Sequence, residues 1–225
     1  MKIENLDVKT NRISRVFIKD EVYEIISDRI ITGELPPESK ININNLAKIL
    51  NTSRTPVREA ILRLENEGLV LSKANRWTIV APIKLDELSY TYSVVASLEA
   101  LALEQAFPKI NKEFIDHLEN INTRLHEALA YDDKMKLIEI DNEFHDSIIE
   151  LSGNYEIPPI IDSLKKKLRR AELSYFKDVN RKTSTYLEHE NLIESLKDND
   201  LDKSMTSLKS NWYNSIGLLK KSNNL

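Results

Sequence analysis

Ser53-Arg54-Thr55-Pro56-Val57-Arg58-Glu59-Ala60-Ile61-Leu62-Arg63-Leu64-Glu65-Asn66-Glu67-Gly68-Leu69-Val70 is the stretch on which the fold turns. Val57, Ala60, Ile61 and Leu64 recur at helical spacing and make one apolar stripe. Ser53 and Thr55 offer hydroxyl caps, Pro56 is tolerated in a first helical turn, and Gly68 stops the helix. Arg54 and Arg58, four residues apart, project together beside the stripe from the N-terminal turn. A guanidinium in that place suits bidentate pairing with guanine O6 and N7, or a grip on phosphate. Ser53 and Thr55 can donate to phosphate oxygens at the same helix end. For two arginines alone, the plainer alternative is an ordinary amphipathic helix with a solvated face.

The flanks narrow the choice. Upstream, an amphipathic helix from Lys19 carries Val22, Ile25, Ile26 and Ile30 and stops at Gly33, ahead of Pro36-Pro37. A second short helix carries Leu46, Ala47, Ile49 and Leu50 and ends in Asn51-Thr52. Downstream, Leu69-Val70-Leu71 and Trp77-Thr78-Ile79-Val80 read as two short strands around a polar tip, a hairpin wing. Three helices and a wing predict a winged helix-turn-helix over residues 19–82, preceded by a polar arm at 1–18 without periodicity. Ala81-Pro82-Ile83 reads as the linker, and Asp86 as the cap of the next helix. Beyond it, helices are expected at 86–107, 111–130, 133–152, 158–177, 182–197 and 200–219, an antiparallel six-helix bundle over 83–225. The fold class is therefore mainly α, with a small β-hairpin.

Composition agrees: 41% of residues are apolar, 30% charged, and only four are Gly. The absence of Cys excludes disulfides, thiolate metal sites and a Cys nucleophile, and fits a reducing cytosol. No run of about 18 apolar residues and no signal-peptide core is present, which predicts a soluble cytoplasmic protein without a membrane partner. The net charge of −4 would repel nucleic acid, but it is unevenly spread. Residues 1–82 hold 13 basic against 11 acidic side chains, and the remainder 19 against 25. DNA contact must then come from local basic clusters in the first third. One recognition helix covers a half-site, so a homodimer on an inverted repeat is expected.

In the bundle, Asp141 falls among Leu137, Phe144 and Ile148, in the middle of an apolar stripe, with His145 one turn on at its edge. A bare carboxylate there costs several kcal/mol unless paired or coordinated. His189 likewise falls among Tyr186, Leu192, Ile193 and Leu196. A carboxylate and two imidazoles from facing helices form a ligand set suited to Zn, Ni or Mn, whereas a lone buried His is more often a hydrogen-bonded core residue. His117 and His126 lie on exposed faces without partners. A metal-dependent enzyme using this cluster is the rival class, but no phosphate loop, nucleophile elbow or carboxylate pair accompanies it.

Residues 22–81 closely resemble the winged helix-turn-helix of the GntR family, whose signature S-R-T-P-V-R-E-A-L-x-R-L-x-x-E-G-L-V is matched nearly residue for residue. Gly33-Glu34-Leu35-Pro36-Pro37 resembles the family loop G-x-L-x-P-G with Pro37 for Gly, and Leu46-Ala47 its second-helix pair. Asn75-Arg76-Trp77 resembles the N-R-G wing tip, with Trp77 where the family has Gly. The resemblance implies a DNA-binding regulator, a repressor released by a ligand, with Ser53, Arg54, Thr55, Arg58, Asn75 and Arg76 at the DNA. Residues 86–219 resemble, more weakly, the FadR-type ligand-binding domain abbreviated FCD, many members of which bind a metal ion and a small organic acid. The resemblance implies metal ligands at Asp141, His145 and His189, and an effector pocket including Asn211 and Val95. Asn211 stands where the family's last His is expected, and Val95 where an effector-binding Arg is often found.

Overall fold

The computed structural model describes residues 18–73, 76–131, 133–175 and 180–223, without the side chains of 175, 180–183, 222 and 223. The arm at 1–17 and Asn75 of the wing tip lie outside the described residues. The three head helices are α1 (Ile18–Ile31), α2 (Ile43–Ile49) and α3 (Arg54–Asn66). Strands β1 (Val70–Lys73) and β2 (Trp77–Val80) follow, antiparallel, with Val70 opposite Val80 and Lys73 opposite Trp77. Val22, Tyr23, Ile26, Ile30, Leu46, Val57, Ile61 and Leu64 close one apolar core with Leu69, Val70 and Val80. The loop before α2 adds to the wing: Ile41 N donates to Thr78 O, Val80 N donates to Ser39 O, and Lys40 bridges to Ile79.

Local chemistry explains the boundaries. Asn42 caps α2 by accepting from Asn45 N at 3.1 Å, so this helix starts three residues before its first buried side chain. Ser53 occupies the N-cap position of α3, but its side chain makes no capping bond. Gly68 ends α3 at φ +73°, a left-handed conformation that disfavours a Cβ, and Lys167 Nζ lies 2.9 Å from where a Cβ would stand.

The remainder is the expected bundle, built from α4 (Leu85–Ala106), α5 (Lys112–Ala128), α6 (Lys134–Ser152), α7 (Ile157–Tyr175), α8 (Asn180–Lys197) and α9 (Leu201–Asn223). A 3₁₀ turn at Phe107–Lys109 carries Pro108 out of α4. Asp86 is not the cap of α4: Lys84 holds that position, and Asp86 and Glu87 sit in the first turn, where carboxylates favour the helix dipole. Helix α4 packs on α6, α7 and α9, while α8 packs on α5 and α9. Two apolar clusters result, one around Tyr92, Val95, Ile161 and Trp212 and one around Leu118, Phe144, Ile193 and Leu208. Among the described residues, no helix is long and apolar enough to cross a membrane.

Helix α7 joins bundle to head. Lys166 Nζ lies 2.6 Å from Tyr23 Oη, which donates to Glu67 Oε2 at 2.6 Å at the end of α3. Arg63 of α3 stacks over the Tyr23 ring at 3.6 Å and pairs with Glu67 at 3.2 Å. The buried Arg170 donates to the carbonyl of Ala81, in the segment between β2 and α4.

Candidate functional site

Two groups of polar side chains stand out. The first is on the head. Ser53, Arg54, Thr55 and Arg58 are all exposed at the N-terminal end of α3, because Val57, Ala60, Ile61 and Leu64 take the opposite face into the core. Arg76 is exposed at the start of the second wing strand. Ser53, whose side chain makes no capping bond, leaves the positive end of α3 able to donate from its own backbone.

The second group is inside the bundle. One ligand atom each from Asp141, His145 and His189 lies within 4.8 Å of the others. The two imidazoles are 1% exposed, whereas the Asp141 side chain is 26% exposed. The sequence-based placement is thereby reversed: Ile140 and Phe144 take the centre of the α6 stripe, His145 turns inward toward α4, and Asp141 sits at the flank. His189 Nε2 lies 3.4 Å from Asp141 Oδ1, and its ring stacks on Phe144 at 3.8 Å and 5°. The stack fixes the plane of His189, and its two ring nitrogens are buried without a hydrogen bond among the described residues.

Glu99 of α4, 1% exposed, completes the centre. Its Oε2 lies 2.7 Å from His145 Nδ1 and accepts from Trp212 Nε1 at 2.7 Å, while Oε1 is 3.1 Å from Lys165 Nζ. Lys165 reaches on to Asp146 at 2.8 Å. Burial opposes ionisation of Glu99, but the positive charges of His145 and Lys165 and the donated hydrogen bonds overcome it and hold its carboxyl at about 2. Burial likewise opposes charge on His145, and Glu99 outweighs it, raising the imidazole above its ordinary value. Burial, reinforced by His145, pushes His189 well below the usual histidine range and keeps it neutral.

Asp141, His145 and His189 could together hold a divalent ion. Ligands around a tetrahedral ion with bonds of about 2.1 Å stand roughly 3.4 Å apart, which His189 Nε2 and Asp141 Oδ1 match at 3.4 Å, while the ligand atoms of all three residues lie within 4.8 Å. With Nδ1 turned to Glu99, His145 leaves Nε2 buried and without a hydrogen bond, and a carboxylate behind a ligating His is the usual supporting arrangement. An ion at Nε2 would supply the positive charge that Glu99 otherwise draws from a proton.

Glu99, Lys165 and Trp212 were not singled out from the sequence. The available signal was Glu99 itself, the one acid in the run from Val94 to Ala102. Asn211 is buried and donates Nδ2 to Glu188 Oε2 at 2.8 Å, while Asn214 and Ser184 donate to Oε1. Val95 is fully buried in the apolar cluster that holds Trp212. His117 and His126 are exposed as expected but not without partners: His117 Nε2 is 3.2 Å from Ser147 Oγ, and His126 packs on Tyr186 with ring centres 4.5 Å apart.

Comparison with known proteins matches residues 18–80 to the bacterial regulatory proteins of the gntR family and residues 90–211 to the FCD domain. The HTH-type transcriptional regulator YdhC of Bacillus subtilis is 22% identical over 178 residues, covering 79% of this chain and 80% of that protein. The HTH-type transcriptional repressor RspR of Escherichia coli is 21% identical over 188 residues, covering 82% and 81%. The solved structure of E. coli McbR/YncC superposes with a TM-score of 0.77 at 20% identity, covering 92% of this chain and 99% of that one.

Proposed function

The chain belongs to the GntR family of bacterial regulators, in the group that carries an FCD domain, and from that premise we propose that it is a ligand-released repressor acting as a homodimer on an inverted-repeat operator. Its class is that of DNA-binding transcription regulators rather than enzymes, with a small-molecule effector as the partner of its FCD domain. Residues 19–82 form the DNA-binding domain of this reading and residues 83–225 the sensing and dimerisation domain. Arg54 and Arg58 read base edges or phosphate, and Ser53, Thr55, Asn75 and Arg76 hold the backbone. Asp141, His145 and His189 hold Zn, Ni or Mn, and Asn211 and Val95 border the effector.

One observation carries the reading. Exposed cations on α3 and a buried carboxylate–imidazole centre lie in two different parts of one chain, the head and the bundle, joined by the contacts of α7 with α1 and the linker. A ligand alters DNA affinity only through unequal binding to DNA-competent and incompetent arrangements. Repression is supported by the name of RspR, and dimerisation by the apolar face of α4, where Tyr90, Val94 and Leu101 are exposed at helical spacing. Val94→Glu should yield a monomer in sedimentation equilibrium.

The test is to select operator duplexes from a random pool, then compare metal-loaded and chelator-stripped protein by fluorescence anisotropy. A change in affinity on the order of 5- to 150-fold is expected. Equal affinities would refute metal-linked sensing, and failure to select any duplex would refute the whole reading.

A further inference from the structure

Trp77, the first residue of β2, is 40% exposed although it is the largest side chain of the wing. It borders an open cleft of about 690 Å³ between the wing, the start of α2 and the side of α3. Lys40, Arg58, Lys73 and Arg76 line the cleft and are all exposed, whereas its isoleucines Ile41, Ile43 and Ile79 are buried or half-buried. No carboxylate lines it among the described residues. Register places Lys73 directly opposite Trp77, and the bridge from Lys40 to Ile79 adds a second cation to the same face of the hairpin. The cleft therefore has an apolar floor and a cationic rim.

A DNA strand has the complementary pattern, with anionic phosphates alternating with apolar deoxyribose faces. We infer that Trp77 is a further DNA-positioning residue, packing its ring on a deoxyribose of a strand seated in this cleft while the four cations neutralise the phosphates beside it. The inference rests on the reading of the head as a DNA-binding domain and adds a contact that the family's Gly at this position has no side chain to make. Because a sugar carries no sequence information, the contact raises affinity for every duplex and fixes the register of the wing, leaving base choice to α3.

The experiment uses the full chain and a mixed-sequence duplex at low salt. Trp212 is already buried, so acrylamide quenching of tryptophan fluorescence reports mainly on Trp77, and the duplex should protect it. Trp77→Ala should weaken duplex binding roughly five- to tenfold, on the scale of aromatic contacts to nucleotides, without changing the salt slope. Trp77→Phe should recover most of the loss, and Arg76→Ala should flatten the slope by about one charge. If the duplex binds and Arg58→Ala weakens it while Trp77 stays fully quenchable, the inference fails and the DNA reading stands. If the wild-type protein does not bind the duplex and Arg58→Ala changes nothing, both fail. Should Trp77→Ala fail to fold, quenching of the wild-type protein still decides.

Discussion

Replacing Glu99 with Gln tests whether one buried carboxylate sets the chemistry of His145. The side chain meets His145 Nδ1 and Trp212 Nε1, each at 2.7 Å, and Lys165 Nζ at 3.1 Å. The amide keeps one acceptor oxygen, removes the charge, and turns an NH₂ group toward one of three donors. Breaking a buried ion pair costs about 3–5 kcal/mol when its partner is stranded. Here Lys165 retains Asp146 at 2.8 Å, which lowers that cost, and the loss of a charge-assisted hydrogen bond restores part of it. The expected destabilisation is about 2–4 kcal/mol, a fall in melting temperature of roughly 5–15 °C for a chain of this size. Without the carboxylate behind His145, metal affinity should fall about 10- to 100-fold. Melting curves with and without chelator, together with metal content after dialysis against graded chelator, measure both quantities. Undiminished metal retention in the variant would refute the positioning role of Glu99, and an unchanged melting temperature would refute the buried network.

Arg58→Ala, or Arg54→Ala, should cost roughly 1–3 kcal/mol of operator affinity for whichever arginine reads a base; unchanged anisotropy titrations for both would overturn the assignment of α3. His189→Ala removes a neutral buried imidazole stacked on Phe144 and should abolish the metal response while ligand-free operator binding persists. Lower stability with a normal metal response would instead make His189 a core residue only. Tyr23→Phe keeps the ring under Arg63 but removes the hydroxyl between Glu67 and Lys166, and should cost about 1–2 kcal/mol in denaturant unfolding. No loss would mean that the hydroxyl bridge from Glu67 through Tyr23 to Lys166 contributes nothing to stability.

The segment from Ser53 to Val70, read with the helices before it and the hairpin after it, was sufficient for the head, since helical stripes, a stop at Gly68 and short alternating strands are local patterns that neighbouring residues enforce. The six bundle helices were legible for the same reason, and Asp141 and His189 could be picked out because each falls among apolar residues at helical spacing, with His145 one turn on from Asp141. Facing partners across helices follow no local period, so Glu99 became meaningful only when α4 was laid against α6 and α9. Lys165-Lys166-Lys167 is the sharpest case: in sequence it is a basic run suited to solvent. In the fold Lys165 turns inward to Glu99, Lys166 meets Tyr23 of the head, and Lys167 lies over Gly68 at the end of α3. A turn of about 100° per residue sends adjacent side chains to different surroundings, and what waits in each direction is decided by the docking of helices distant in the chain.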